Sequence, residues 1–375
     1  MRILITGADG FIGRNLRQHL STRADIELVC HTRAQGYQAL PALLAGVDVV
    51  FHLAGVNRPQ DPAEFTAGNV GLTRQLLAAA EAEMRRTGRS IEVVYTSSTQ
   101  AQRDNPYGAS KRAAEALMHE YATRTQAPVH VFRLPNVFGK WSRPDYNSAV
   151  ATFCYRVARG QAIEVHDPDA ALSLVYVDDV IAAFLALIDG ATLPTDADGF
   201  AQVQPVYPTT VGAVAAAIRS FAASRQSLIT ERVGSGLLRA LYATYVSFLP
   251  PASFAYDLVQ HADPRGTFVE MLKTPDCGQF SFFTAHPGVT RGGHYHHSKT
   301  EKFLVIRGQA RFRFRHILTG EAHELVTSGA RPQVVETVPG WTHDITNVGS
   351  DELVVMLWAN EIFDPTRPDT YACPL

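Results

Sequence analysis

The sequence is short of several things, and each shortage narrows what it can do. It holds four cysteines in 375 residues, Cys30, Cys154, Cys277 and Cys373, and no Cys-x2-Cys pair. That excludes a disulfide frame and a cysteine zinc knot, and it fits reduced thiols in the cytoplasm. Neither sign of charge dominates: 34 Lys and Arg meet 36 Asp and Glu, for a formal net charge of −2. A bulk basic footprint for nucleic acid or an anionic membrane is therefore missing. No apolar run approaches the roughly 20 residues of a membrane span. The best one, Val180 to Ile188, stops at Asp189. The opening Met1-Arg2-Ile3-Leu4-Ile5-Thr6-Gly7 has no long apolar signal core, so secretion is not expected. Internal repeats and low-complexity segments are also lacking. What remains is ordinary globular composition, 46% hydrophobic and 19% charged, in a length that suits two or three domains.

The chain is written in two grammars. Short β-rich runs at Arg2–Thr6, Ile26–Cys30, Val47–Leu53, Ile91–Thr96 and Val129–Leu134 alternate with helical stretches at Ile12–Leu20, Leu72–Glu83 and Ser110–Thr123. Buried strands separated by helices predict an α/β, doubly wound Rossmann-type parallel sheet. A helical pattern from Tyr207 to Leu249 ends at Pro250-Pro251. After that come many short strands: Phe268–Leu272, Gln279–Ala285, Lys302–Ile306, Ala310–Arg315, Val334–Val338 and Leu353–Trp358. This predicts an all-β barrel or sandwich. The expected division is residues 1–250 and 253–375, with the boundary at the double proline.

After the first strand the chain reads Thr6-Gly7-Ala8-Asp9-Gly10-Phe11-Ile12-Gly13 and enters an apolar helix. Glycines there permit a tight turn and close approach of backbone to a pyrophosphate, and the helix start offers unpaired N–H groups. Gly7, Gly10, Phe11, Ile12 and Gly13 are thus candidate cofactor contacts. The spacing is Gly-x2-Gly-x2-Gly. At the end of the second strand, where an NAD site usually carries an acid, the sequence has Cys30-His31-Thr32-Arg33. Arg33, with His31 and Arg14, suits a 2′-phosphate, so NADP(H) is the expected cofactor.

Further on come Tyr95-Thr96-Ser97-Ser98-Thr99-Gln100 and then Asn105-Pro106-Tyr107-Gly108-Ala109-Ser110-Lys111. Tyr107 and Lys111 are four apart and share a helix face. An ammonium beside a phenol lowers the phenol's pKa, which equips Tyr107 to pass a proton to or from a carbonyl or alcohol oxygen. Ser98, at a strand end, can hydrogen-bond the same oxygen. Ser98, Tyr107 and Lys111 are the candidate catalytic residues, and Tyr107 and Lys111 also count among the cofactor contacts.

At this point residues 1–245 resemble the short-chain dehydrogenase/reductase superfamily, in its extended nucleotide-sugar branch. The resemblance rests on the glycine loop, the triad, His52-Leu53-Ala54-Gly55, Asn69, Arg133-Leu134-Pro135-Asn136-Val137-Phe138-Gly139 and Tyr176-Val177-Asp178-Asp179-Val180. It implies cofactor contacts at Leu53, Ala54 and Gly55, and sugar-nucleotide contact from Asn136. Ser98 is followed by Thr99-Gln100, where sugar 4,6-dehydratases carry Asp-Glu. Without those acids a reductase is expected before a dehydratase, and a 4-epimerase remains open. The loop between Ser98 and Tyr107 is short for the branch, which implies a trimmed pocket rim.

The most specific local pattern is Gly-x5-His-x-His-x4-Glu-x6-Gly, from Gly288 through His294, His296 and Glu301 to Gly308; His343 follows in Pro339-Gly340-Trp341-Thr342-His343. Alternate strand residues share a side, so His294 and His296 can face one point. Three imidazoles and one carboxylate suit Zn²⁺ or another first-row divalent ion. His297 is expected to point away, to the surface. The pattern resembles the two cupin motifs over residues 255–375. Asp263-Pro264-Arg265-Gly266-Thr267-Phe268-Val269-Glu270 and Arg291-Gly292-Gly293-His294 are also similar to cupin-fold sugar 3,5-epimerases. That similarity implies substrate-binding roles for Arg265 and Glu270 and a general-base role for His294, which competes with its role as a ligand; the ligand role is preferred. Glu270 and Lys273 are guesses for the epimerase base.

Taken together, nearly the whole chain resembles the CapF-like family of bifunctional capsule and O-antigen enzymes. The resemblance implies C3 epimerisation of a UDP-2-acetamido-2,6-dideoxy-4-ketohexose by the cupin. NADPH-dependent reduction at C4 would follow, giving UDP-2-acetamido-2,6-dideoxy-L-talose on the route to UDP-N-acetyl-L-fucosamine, in a cytoplasmic homodimer. A single-step 4-ketoreductase with a structural or dimerising cupin is the alternative.

Overall fold

The computed structural model describes residues 1–263, 266–269, 271–272, 278–361 and 364–375. By compactness it falls into two units: Met1–Val137 with Ser173–Pro208, and Phe138–Leu172 with Thr209–Leu375.

The first unit is built on strands β1 (Arg2–Thr6), β2 (Glu27–His31), β3 (Val49–His52), β4 (Glu92–Ser98) and β5 (Val129–Leu134). They form one parallel sheet in the order β2-β1-β3-β4-β5. The chain leaves β1 for one side and returns to the other, so the switch point lies between β1 and β3. In open α/β sheets, ligands bind outside the carboxyl ends of the strands at that point. Helices α1 (Phe11–Leu20), the single turns α2 (Leu40–Leu43) and α3 (Ala63–Phe65), α4 (Leu72–Thr87) and α5 (Pro106–Thr125) follow in order.

Both faces of the sheet are covered, which is why its strands read as continuous apolar runs. On one face Val50, Val93 and Tyr95 pack with Leu76, Ala80, Met118 and Tyr121 of α4 and α5. On the other, the Phe51 and Phe132 rings each lie 5.2 Å from that of Phe184, in the helix spanning Val177–Ile188.

In the second unit, α6 (Ala149–Val157), α8 (Val211–Ser227) and α9 (Gly236–Ser247) pack on one another; α7 is the Val177–Ile188 helix already placed. Short strands β6 (Asn136–Phe138), β7 (Ala171–Tyr176) and β8 (Tyr207–Thr210), each at a point where the chain passes from one unit to the other, were not expected from sequence. The start of the stretch read as helical from Tyr207 is therefore a strand, and α8 begins after Thr210, whose hydroxyl accepts the Ala213 N–H at 3.2 Å as an N-cap.

The remaining strands run β9 (Ala255–Asp257), β10 (Gln260–Asp263), β11 (Gly266–Val269), β12 (Gln279–Ala285), β13 (Thr290–Tyr295), β14 (Glu301–Arg307), β15 (Gln309–His316), β16 (Ala322–Ser328), β17 (Gln333–Glu336), β18 (Trp341–Asn347), β19 (Leu353–Ala359) and β20 (Tyr371–Ala372). Two five-stranded antiparallel sheets result, β12-β19-β14-β17-β9 and β16-β15-β18-β13-β20. The expected architecture, a parallel α/β sheet followed by an all-β domain, is what the structure has. Period-2 alternation shows why: on β15, Ala310, Phe312 and Phe314 are buried, while Arg311, Arg313 and Arg315 take the other face. The strand expected at Phe268–Leu272 is instead Gly266–Val269 over the described residues.

Two features tie other parts of this unit to its β sheets, one from a helix and one from the turn after β6. Glu336 on β17 is buried between Lys302 of β14 and Arg225 of α8, and it bonds both. Trp141 donates its indole N–H to His316 Nε2 at 3.1 Å and lies against Gly340.

Candidate active site and metal centre

In the first unit the site is assembled at the carboxyl ends of β1, β3 and β4. Gly7 has φ +69°, and a Cβ there would stand 2.7 Å from the Ala54 Cα. A Cβ at Gly13 would drive into the Gly7 carbonyl, so α1 could not sit this close to the loop. The Gly7 N–H donates to the His31 carbonyl at 3.1 Å. Helix α1 starts at Gly10 with no side-chain cap and no acid in its first turn. Its first N–H groups and its positive end are thus left for an anion. Asp9, the acid in the loop, is paired with Arg17 at 2.7 Å.

Phe11, Ile12, Leu53 and Ala54 are half-buried, and Gly55 is exposed. At the end of β2, His31 Nε2–H donates to the Gly36 carbonyl at 2.8 Å and closes the turn; Arg33 in that turn is exposed.

Asn105 and Pro106 explain where α5 begins. The Asn105 side chain accepts the Gly108 N–H at 2.8 Å, and Pro106 takes the first helical position. Tyr107 and Lys111 then fall on the face toward β4. Lys111 is buried and donates Nζ–H to the Thr96 carbonyl at 2.8 Å. Burial lowers its pKa to about 8, against an opposing pull from Glu115. Glu115, one turn further on, accepts the Ser97 hydroxyl and two Arg133 bonds at 3.0 and 2.8 Å. Burial pushes the Tyr107 phenol up and Ser98 pulls it partly back; contrary to the expectation from their spacing, Lys111 does not bring it below the usual phenol range in the free site. The structure thus brings Ser98, Tyr107 and Lys111 together.

Asn69 sits in a π-helical turn, Thr66–Gly71, a local geometry common at functional sites. Its amide donates to the Ser110 hydroxyl at 2.9 Å and to the Val56 carbonyl at 3.0 Å.

His52 had no assigned role from sequence. It is buried, with Nδ1 2.7 Å from Thr6 Oγ1 and Nε2 2.8 Å from Thr73 Oγ1. The Thr73 hydroxyl donates to the Asn69 carbonyl at 2.7 Å, so it must accept from His52, and Nε2 carries the proton. Burial lowers the His52 pKa to about 3, which keeps it neutral. Asn136 is exposed at the start of β6.

In the second unit, antiparallel register sets His294 of β13 opposite His343 of β18. A bulge between Gly292 and His294 re-aims the strand. Glu301 opens β14 in the other sheet, and His296 lies in the connection between them. Their ligand atoms lie within 4.8 Å of one another. His296 Nε2 is 3.0 Å, and His343 Nε2 3.6 Å, from Glu301 Oε2.

Three observations fit a divalent cation here. His296 Nδ1 faces the Asp369 carbonyl at 2.6 Å and must donate to it, which leaves Nε2 bare toward a carboxylate oxygen. Two acceptors at 3.0 Å need a proton or a metal ion between them. Neither ring nitrogen of buried His343 has a hydrogen-bond partner. Burial and the neighbouring imidazoles lower the His294 pKa to about 4, so its ring is neutral and able to ligate. Arg265, Glu270 and Lys273 lie outside the described residues. His297 corrects the sequence reading: it is buried, its ring 5.4 Å from that of Tyr295 and 4.8 Å from that of Tyr371.

The chain matches two family models: "NAD dependent epimerase/dehydratase family" over residues 3–195 and "Polysaccharide biosynthesis C-terminal domain" over residues 261–371. It is 59% identical over 373 residues to the UDP-2-acetamido-2,6-beta-L-arabino-hexul-4-ose reductase of Pseudomonas aeruginosa, a match covering 100% of this chain and 98% of that protein. Among solved structures it is similar to the capsular polysaccharide assembling protein CapF from Staphylococcus aureus, with TM-score 0.67 and 39% identity over 100% of both chains. The UDP-glucuronic acid 4-epimerase of Bacillus cereus shares the fold, with TM-score 0.50 and 19% identity over 59% of this chain and 83% of that one.

Proposed function

We infer the function from the premise that this chain belongs to the NAD-dependent epimerase/dehydratase family, in the CapF-like group. It is a bifunctional NAD(P)-dependent reductase and epimerase of UDP-sugars in amino-sugar nucleotide synthesis. The finer reading gives each site one step on a UDP-2-acetamido-2,6-dideoxy-4-ketohexose. Residues 253–375 invert C3, and residues 1–250 then reduce C4, giving UDP-2-acetamido-2,6-dideoxy-L-talose.

The order follows from the ketone. A C4 carbonyl acidifies the C3–H, and reduction removes that activation, so inversion comes first. His294, His296, Glu301 and His343 would hold a divalent ion, zinc by donor set, which supplies Lewis acidity toward the ketone oxygen. His294 acts as a ligand in this reading, and the C3 base is left unassigned.

In the reductase site the glycine loop, Leu53, Ala54 and Gly55 would bind the dinucleotide. The exposed Arg33 favours NADP(H), which supplies the hydride. Ser98 orients the ketone oxygen and Tyr107 donates its proton to it. Charged Lys111 stabilises the phenolate left behind. Asn136, Arg265 and Glu270 would grip the nucleotide sugar. A cytoplasmic homodimer completes the reading; among the described residues no helix is long and apolar enough to cross a membrane.

The observation that carries this reading is buried Lys111, four residues from Tyr107 on α5 and held on the Thr96 carbonyl of β4, with an uncapped glycine loop at the end of β1 in the same sheet. The test is incubation with the UDP-4-keto sugar in D₂O. Deuterium should enter C3 without NADPH. Adding NADPH should then oxidise one cofactor per sugar reduced. Reduction with no deuterium at C3 would leave a one-step reductase.

A further inference from the structure

We propose that Asp369 is the positioning residue that turns His296 into a metal ligand. This rests on reading the His294–His296–Glu301–His343 cluster as a divalent-cation site. Asp369 was not singled out from the sequence, where it lies in an unremarkable Pro368-Asp369-Thr370 stretch.

Its two halves grip the same turn. The carboxylate accepts the N–H groups of His297 at 3.0 Å, Ser298 at 2.9 Å and Lys299 at 2.7 Å, and the Ser298 hydroxyl at 3.1 Å. Four donors largely fill its acceptor capacity and bend residues 297–299 into the turn between His296 and Glu301. The Asp369 backbone carbonyl takes the Nδ1–H of His296 at 2.6 Å. That bond fixes the tautomer and points the Nε2 lone pair at the cluster, as outer-shell partners of ligating histidines do.

Both grips are possible together because Asp369 has φ +37°, in the left-handed region that aspartate tolerates better than most residues. The segment around it is pinned on both sides. Lys299 Nζ donates to the Pro368 carbonyl at 3.2 Å and to Thr370 Oγ1 at 2.8 Å. Ala372 pairs with His294 across β20 and β13, and the Cys373 N–H donates to the Gly293 carbonyl at 2.8 Å. One short segment therefore orders the backbone of His294 and the ring of His296.

The test compares full-length wild type with Asp369→Ala and Asp369→Asn, each stripped with chelator and titrated with Zn²⁺ and Co²⁺. Asp369→Ala keeps the carbonyl but releases the carboxylate's grip on residues 297–299, which holds that carbonyl against His296. Metal affinity should fall toward the loss of about 10–100-fold that removing an outer-shell contact causes. The Co²⁺ absorption bands of that variant should shift as His296 leaves the ligand set. Asp369→Asn, which keeps one acceptor oxygen, should fall between wild type and Asp369→Ala; it carries the test if the alanine variant does not fold. NADPH binding, read by fluorescence, should be unchanged in both. Equal affinity and identical Co²⁺ spectra in a folded variant overturn the assignment of Asp369 alone. A wild type that binds neither ion overturns the metal reading and this inference with it.

Discussion

The two sites solve the placement of reactive groups in opposite ways. The reductase site is local and backbone-held: Tyr107 and Lys111 sit on one helix, the amine rests on a main-chain carbonyl of β4, and the glycine loop offers main-chain N–H groups. The histidine cluster is non-local and side-chain-held. Its four side chains come from both sheets and the connection between them, 49 positions separate the first from the last, and a distant aspartate touches one ring. A parallel sheet supplies a ready-made edge at its switch point, so few residues need specifying. A β barrel interior has no such edge, so every group must be fixed by its own partners.

The largest effect that would break this contrast is in the reductase site. Removing a general acid costs about 10²–10⁴-fold. Tyr107→Phe should lower the kcat of NADPH oxidation by that order and leave the KM for sugar nearly unchanged in steady-state assays. A fall of less than tenfold would show that the phenol is not the proton donor.

The β unit should be the more fragile one when a buried charge loses its partner. Glu336 answers two cations in the interior, and breaking such a pair costs about 3–5 kcal/mol. Glu336→Gln should show that loss in urea titrations. Loss below 1 kcal/mol would mean the network adds nothing.

Arg33→Ser should reduce the preference for NADPH over NADH by about tenfold, from one lost charge-assisted contact. Unchanged selectivity would remove Arg33 from the cofactor site.

The smallest effect is a pH limb. Lys111 titrates at about 8, so the reductase rate should fall as pH rises through 8, where the ammonium is lost. Glu115→Gln removes the charge that holds this pKa up, and the limb should move to lower pH. Linkage adds a sign. The unfolded lysine, near 10.5, binds more protons than the folded one between 8 and 10.5. Its burial penalty is therefore full below about 8 and fades as pH climbs through that window. A limb unmoved by Glu115→Gln would assign it to another group.

What could be read from the sequence follows the same contrast. Tyr107 and Lys111 were legible because helical spacing alone brings residues four apart together. The parallel sheet was legible because strands buried on both faces read as apolar runs. His294, His296 and Glu301 were legible through their close spacing in the chain, although the strand expected to carry both histidines ends at Tyr295 and leaves His296 in the connection. Asp369 was not, because nothing local announces a pairing across more than 70 residues. His297 differs because β13 ends at Tyr295, so strand parity does not reach it, and Tyr295 and Tyr371 pack against its ring. His52 was visible only as part of a motif; its role comes from threonines 46 positions before and 21 positions after it, which the sheet and α4 bring together.

The central claim is that proton exchange at C3 and hydride transfer at C4 belong to separate sites. It is tested most directly by C3 deuteration of the UDP-4-keto sugar in D₂O, followed by NMR with Tyr107→Phe and with His296→Ala. The account predicts wild-type exchange in Tyr107→Phe and its loss in His296→Ala. Exchange that falls in Tyr107→Phe as far as NADPH oxidation does would contradict it.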